Sequence, residues 1–425
     1  MLEAFASLFL LLHLLFFGTS QSGYGKKLIS YEDYQKLPKD KKSNFVIFVQ
    51  TGDVERYLIN WKGRYIEKSI YSKNQIEVFK KPKIIISRRS PILEGCFDEK
   101  GKFYLGKIAF TSKIDKNTNP YLLLGILNSK VCDFYFKKVY ESLHPGGNIR
   151  YDIPYLYQLP IRLDEDKKII NFVKNIILNK LIYFKIRSIS NYWEIKLKNA
   201  DYSLSQILKS DIDKIRSGEN NEKWTSNSSI YPSDKNEILE KEFNSFVVKT
   251  NNENLMIELY GLDEDRKGEK ILELEFENKD FFEIIYISLL NLLSKRGKIK
   301  TLNNIFDKTV IPIIVPPAYS GMSPGQMETR LRHDPKLNSE ITKLTPNILK
   351  KVKEEVKKWL KEGKIDYKDE LGLPYINEQI ENIDTQIDVE VFKLYGLTEE
   401  EVKTILDTLK ISNFYQNKVI EKLKS

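Results

Sequence analysis

The spacing of apolar residues changes along this chain, and that change limits the fold more than any composition figure. Up to Phe110 the apolar residues fall in short β-rich runs. These are Phe45–Val49, a hairpin-like stretch Arg56–Ile66 with two arms around Lys62-Gly63, Pro82–Arg89 and Gly101–Phe110. From Pro120 the spacing is that of a helix. Leu123, Ile126, Leu127, Val131, Phe134 and Val139 recur about every 3.6 residues, which predicts one helix over Pro120–Tyr140. Ile169–Ile186 reads as a long apolar helix. Leu255–Tyr260 and Lys270–Phe276 read as a second hairpin, and Phe281–Leu293 as a helix. Near the end, Thr345-Pro346 starts a helix that Gly363 closes. A further helix stops at Tyr395-Gly396, and Thr398 with Glu401 makes a capping box for the last one. The expected class is mixed α+β: a small mixed-sheet domain, then mainly helical regions with one β-hairpin insertion.

A chain of 425 residues is long enough for two or three domains. The expected divisions are 1–17, an apolar leader or the remnant of an upstream domain; 18–165, the sheet-containing domain; 166–235, a helix and a polar linker from Ser217 to Ser233; 236–310, the hairpin and its helix; and 311–425, helical. Ala4–Phe17 is almost wholly apolar. It has no Lys or Arg before it and is shorter than the roughly 20 residues of a spanning helix. A secretion signal and a buried core segment are both open readings of it.

Charge is unevenly placed. The net charge is +9, yet Lys26–Arg162 holds 26 basic against 14 acidic side chains, while the remainder holds 42 against 45. A basic stretch beside a neutral one suits binding to a phosphate backbone; a lysine-rich solvated surface gives the same count. Within the stretch, Arg56, Lys62, Arg64, Lys83, Arg88, Arg89 and Arg150 are candidates for phosphates and guanine edges. Gly147 and Asn148 precede Arg150 in a glycine loop that permits close approach of a backbone. Arg88 and Arg89 close a strand, so their side chains should take opposite faces.

Several chemistries have no support. Cys96 and Cys132 form no CxxC, and His13, His144 and His333 lie far apart, so no zinc spacing exists. Val315-Pro316-Pro317-Ala318-Tyr319 lacks the polar residue that an adenine methyltransferase loop places before its prolines. Glu277-Asn278-Lys279, with Asp263 and Asp265 upstream, has a nuclease-like Glu-x-Lys spacing, and so by chance does Glu194-Ile195-Lys196. No catalytic residue and no metal site is assigned.

An ordered set of segments carries a resemblance. These are Gly18–Gly23 (GTSQSG), Gln50–Tyr57 (QTGDVERY), Trp61–Ile66 (WKGRYI), Lys81–Arg89 (KPKIIISRR), Leu124–Lys130 (LGILNSK), Gly147–Arg150 (GNIR) and Gln158–Ile161 (QLPI). Ile387-Asp388 and Val391–Thr398 (VFKLYGLT) follow near the end. Together they resemble the target-recognition domain and C-terminal region of TaqI-type and type IIG restriction–modification enzymes, without the methyltransferase domain that such enzymes carry upstream. The resemblance implies sequence-specific recognition of double-stranded DNA in the cytoplasm, with no membrane. It also implies S-adenosylmethionine bound outside this chain, on a missing domain or a separate methyltransferase or nuclease subunit. Asn128 and Ser129 are expected to brace a helix against the sheet. The alternatives are an inactive remnant that reads no DNA, and an exported or membrane-anchored basic protein.

Overall fold

The structure, a computed structural model, describes residues 15–17, 24–106, 109–113, 118–140, 149–156, 158–162, 164–196, 201–203, 227–231, 235–263, 267–293, 299–312, 350, 353–364 and 373–424. Gly18–Gly23, Gly147, Asn148, the Pro316-Pro317 segment and Thr345-Pro346 lie outside them. The chain forms two units. The first takes Met1–Leu181, Ile380–Ile411 and Tyr415–Ser425; the second takes Ile182–Gln379 and Ser412–Phe414.

The strands of the first unit are β1 (Leu15–Phe17), β2 (Leu28–Ser30), β3 (Phe45–Val49), β4 (Val54–Glu55), β5 (Leu58–Ile59), β6 (Arg64–Glu67), β7 (Lys83–Ser87), β8 (Arg89–Ser90), β9 (Gly95–Asp98), β10 (Tyr104–Leu105), β11 (Ala109–Lys113) and β12 (Ile149–Arg150). One sheet has the antiparallel order β1-β11-β7-β9. The other has the order β10-β3-β6-β2, with β10 and β3 parallel and the rest antiparallel. The expected mixed α+β class is what the chain adopts.

Strand β7 explains why two cores form. All five of its residues are buried. Side chains alternate across a strand, and here Ile84 and Ile86 enter one core while Ile85 enters the other. The core on the Ile85 side is closed by Phe48, Val49, Ile66, Phe79 and Leu105. The larger core is closed by the helices Pro120–Asn128, Lys130–Tyr140 and the start of Lys167–Lys196, with the C-terminal helices Leu373–Leu394, Glu399–Thr408 and Asn413–Lys424. Gly125 is needed there: a Cβ would lie 2.8 Å from Ile169 and 2.9 Å from Val173, so only glycine lets the two helices approach this closely.

Three local expectations change. The hairpin expected over Arg56–Ile66 is instead β4 paired with β5, turning at Arg56-Tyr57, while β6 joins another sheet. Tyr57 takes a left-handed φ of 68°, held by a buried ring and a 2.7 Å hydrogen bond from its amide to Gly95 O. Gly63, with φ 72°, supplies a bend rather than a hairpin tip. Gly101–Phe110 contains two strands, β10 and β11, in different sheets. The helix over Pro120–Tyr140 breaks at Ser129, whose ψ of 159° ends the first helix; its hydroxyl donates to Ile126 O at 2.7 Å.

The second unit contains the antiparallel sheet β14 (Asn227–Ile230), β17 (Gly268–Glu275), β16 (Met256–Leu262), β15 (Ser245–Asn251), in that order. The short pair β13 (Asp201–Ser203) and β18 (Val310–Pro312) completes its strands among the described residues. The expected hairpin is β16–β17, and Leu272, Leu274 and Phe276 are buried as its alternation requires. The end of the expected polar linker is the edge strand β14, which directs Ile230 inward. Helix Lys279–Leu293 follows, with Asn278 Oδ1 accepting from Phe281 N at 3.3 Å, so Glu277-Asn278-Lys279 begins a helix. At the C-terminus, Gly396 (φ 66°) ends its helix with Leu397 N donating to Phe392 O, and Thr398 and Glu401 form the expected capping box. No helix among the described residues is long and apolar enough to cross a membrane.

Burial makes stability depend on alkaline pH. The Cys132 thiol is wholly buried, and desolvation pushes it up to about 12; burial likewise raises Cys96. Above about pH 9 an unfolded thiol loses its proton and the folded one keeps it, so stability falls with rising pH. Between pH 9 and 10, wild-type protein should lose up to about 1.4 kcal/mol relative to Cys132→Ala, whose titration lacks that proton. Denaturant unfolding at each pH measures the difference; parallel curves would contradict it.

Candidate functional site

The candidate basic residues separate into an interior set and a surface set. Lys83, 2% exposed, is held by Asp98 at 2.6 Å and by Phe79 O at 2.6 Å. Burial lowers its pKa despite Asp98. Arg64 donates to both oxygens of Asp53 at 2.6 Å, and Asp53 is fully buried. Asp53 also accepts from Gln50 N at 2.8 Å, so this pair fastens the turn Thr51–Asp53 to β6. Arg56 donates to Asp384 at 2.7 and 2.8 Å and to Asn128 O at 2.6 Å. All three neutralise acids, Lys83 and Arg56 from within the fold and Arg64 with its side chain still 30% exposed.

The surface set gathers around one short ladder. Strands β8 and β12 pair so that Arg89 lies opposite Arg150, and Tyr151 N extends the ladder to Arg88 O at 2.8 Å. Asp152 then holds two guanidiniums. Arg88 donates to its Oδ1 through Nε at 3.0 Å and Nη2 at 2.8 Å, and Arg150 Nε lies 2.6 Å from its Oδ2. Arg89 is exposed, with no ion-pair or hydrogen-bond partner for its side chain among the described residues. Two guanidiniums, those of Arg88 and Arg150, therefore meet one carboxylate, with the exposed Arg89 on the paired strand. Strand β7 ends at Ser87 and Arg88 lies in the bend before β8, so the two arginines do not close one strand as expected; Arg89 is nonetheless exposed and Arg88 half-buried. Lys62 is exposed beside the Gly63 bend, away from this ladder in sequence. Gly147 and Asn148, which lead into β12, are outside the described residues.

The interior acids form a second constellation within the first unit. Asp388, one helical turn after Asp384, accepts from Lys130 N at 2.9 Å and from the Tyr415 hydroxyl, with Lys130 Nζ at 3.4 Å. Burial alone would lower Arg56 and raise Asp384. The surrounding charges together outweigh it: Asp384 and Asp388 among others raise the arginine, and Arg56, Lys130 and Lys180 hold the carboxyl below its usual range. Lys180 donates to Arg56 O at 2.7 Å, and burial beside the Arg56 charge brings its pKa down to about 8. Asn128 exchanges two hydrogen bonds with the Gly95 backbone, at 2.8 and 3.0 Å, bracing its helix against the sheet as expected. Tyr395 donates to Pro160 O, and Arg162 to Leu394 O at 2.9 Å. Asp384 and Asp152 carry no role in the sequence reading, and Asp388 enters it only within the Ile387-Asp388 segment of the resemblance. An available signal was the pair Asp384/Asp388, spaced i,i+4 within the apolar positions Ile380, Ile383 and Ile387.

Among the described residues no cluster of three His, Cys, Asp or Glu side chains could hold a metal ion.

Residues 48–161 match the family model of the TaqI-like C-terminal specificity domain. The match covers roughly a quarter of the chain and lies within the stretch whose ordered motifs suggested that family. It contains β7, the Arg88–Arg89–Arg150–Asp152 ladder and Asn128. No curated protein matches the chain.

The two sets differ in what their loss does. Arg56→Ala or Asp384→Ala leaves a buried charge unpaired and should lower unfolding free energy by about 3–5 kcal/mol. The double variant should recover part of that. Arg89→Ala should stay within about 0.5 kcal/mol of wild type. Denaturant titration checks all four chains; a large loss from Arg89→Ala would place it in the interior set.

Proposed function

We propose that the first unit reads a base sequence on double-stranded DNA, as the specificity part of a restriction–modification adenine methyltransferase or endonuclease. The observation that carries the reading is the ladder of β8 and β12, which presents Arg89 and Arg150 on paired backbones at the end of a buried strand. An arginine held on a rigid element offers two parallel N–H groups to the N7 and O6 of guanine. Asp152 restrains Arg88 and Arg150, so less rotamer freedom is lost on binding. Arg89 and Arg150 are assigned to base edges or phosphates, Lys62 to a phosphate, and the Gly147-Asn148 backbone to close approach. Arg88 acts through Asp152, and Arg56, Arg64 and Lys83 act by holding the fold.

The basic excess of Lys26–Arg162 supports the same partner. Methyl transfer, with S-adenosylmethionine, is assigned to a methyltransferase domain or subunit outside these residues, and the assembly to the cytoplasm.

Selection from a random duplex library, followed by binding titrations at several salt concentrations, tests the reading. Wild-type protein should enrich one sequence and keep it at moderate salt, with a log–log slope set by its phosphate contacts. Arg89→Ala and Arg150→Ala should each weaken a true base contact by about 1–3 kcal/mol and relax preference at one position. Binding without any sequence preference would overturn the assignment.

A further inference from the structure

Beside the arginine ladder stands an aromatic stack that the charge argument does not use. Tyr140 is the last residue of helix Lys130–Tyr140, and Tyr155 lies in the helical turn Ile153–Leu156 that follows Asp152. Their rings stack with centroids 4.7 Å apart and planes 30° from parallel. Beneath them Phe136 lies 5.1 Å from Tyr140 and 4.6 Å from Tyr151, and both Phe136 and Tyr151 are fully buried. The stack thus climbs from the core to the surface and ends on Tyr155, which is 39% exposed. The Tyr140 hydroxyl is engaged by Gln158 at 2.9 Å, whereas the Tyr155 hydroxyl has no partner among the described residues.

The position of Tyr155 says what would cover it. Its amide donates to Asp152 O at 3.1 Å, one turn from the carboxylate that holds Arg88 and Arg150. The exposed ring thus sits on the turn that begins at Asp152, the carboxylate shared by the guanidiniums of Arg88 and Arg150. A ligand that satisfies both features carries negative charge and a flat or apolar face together, as a nucleotide does. The ring is already ordered by its stack, so little conformational entropy is lost when it is covered.

We propose that Tyr155 is a nucleotide-contacting residue, laying its ring against the base or sugar of the DNA strand engaged by Arg89 and Arg150. This rests on the DNA-reading function above. It differs from that function in its energetics: an aromatic contact displaces no counterions, whereas an arginine–phosphate contact does.

The test uses the full chain and the duplex selected by wild-type protein. Tyr155→Ala should weaken binding by about five- to a hundredfold with an unchanged salt slope. Tyr155→Phe should bind nearly as wild type, because the ring and not the hydroxyl makes the contact. Ultraviolet cross-linking of wild-type protein to the duplex carrying 5-iododeoxyuridine, read by peptide mass spectrometry, should label Tyr155; this readout does not depend on any variant folding. Unchanged affinity of Tyr155→Ala, or cross-links at other residues only, overturns the proposal. If Arg89→Ala is weakened in the same experiment, the DNA-reading function stands without it. A wild-type chain that selects no duplex overturns both.

Discussion

The Arg56–Asp384 pair ties residues 328 positions apart into one unit, and the other features of that unit rely on the register it sets. Burying two opposite charges costs several kcal/mol each, and attraction repays this only with good geometry and further hydrogen bonds. The two terminal nitrogens of Arg56 meet both conditions, while its buried Nε has no hydrogen-bond partner among the described residues. Arg56 makes a two-pronged contact with Asp384 and a third bond to Asn128 O, and Asn128 in turn binds the Gly95 backbone. The pair therefore joins the β4–β5 turn, the end of helix Pro120–Asn128, strand β9 and helix Leu373–Leu394. Tyr57 keeps its left-handed backbone because this surrounding structure holds it.

This arrangement changes what the basic excess means. Part of the positive charge between Lys26 and Arg162 is matched inside the unit: Lys83 by Asp98, Arg64 by Asp53, Arg56 by Asp384. Basic residues near one another in sequence thus have two different roles. In Lys81–Arg89 the lysine at the start of the strand lies in the core, the first arginine is shared with Asp152, and Lys81 and Arg89 are exposed. Residue type gives no hint of this division; burial and the nearest acid decide it.

The alternation within β7 links the two roles. Its isoleucines serve two cores, which fixes the strand rigidly, and its C-terminal end then delivers Arg88 and Arg89 to the β8–β12 ladder. A recognition surface on such a strand is stiffer than one carried by a loop alone. The aromatic stack from Phe136 to Tyr155 extends the same principle, since a surface ring is held by rings that reach the core.

Much of the fold was legible locally. The capping box at Thr398, the glycine stop at Gly396, the β16–β17 hairpin and the helical spacing of Leu123 to Phe134 follow from backbone hydrogen bonding and burial within a few residues, and a sequence displays such constraints directly; Val139, in the same spacing, is exposed. The β4–β5 turn was misplaced because Lys62-Gly63 offered the stronger turn chemistry, while a buried Tyr57 could be seen only with its Gly95 partner. The break at Ser129 was hidden because the apolar spacing continues across it. By itself, then, the sequence determined the class of fold, the element types and a basic segment ordered like a recognition domain. Only the tertiary structure decided which arginines are interior and which face solvent, because that depends on acids such as Asp384 and Asp152, brought close by folding at distances that no local pattern encodes.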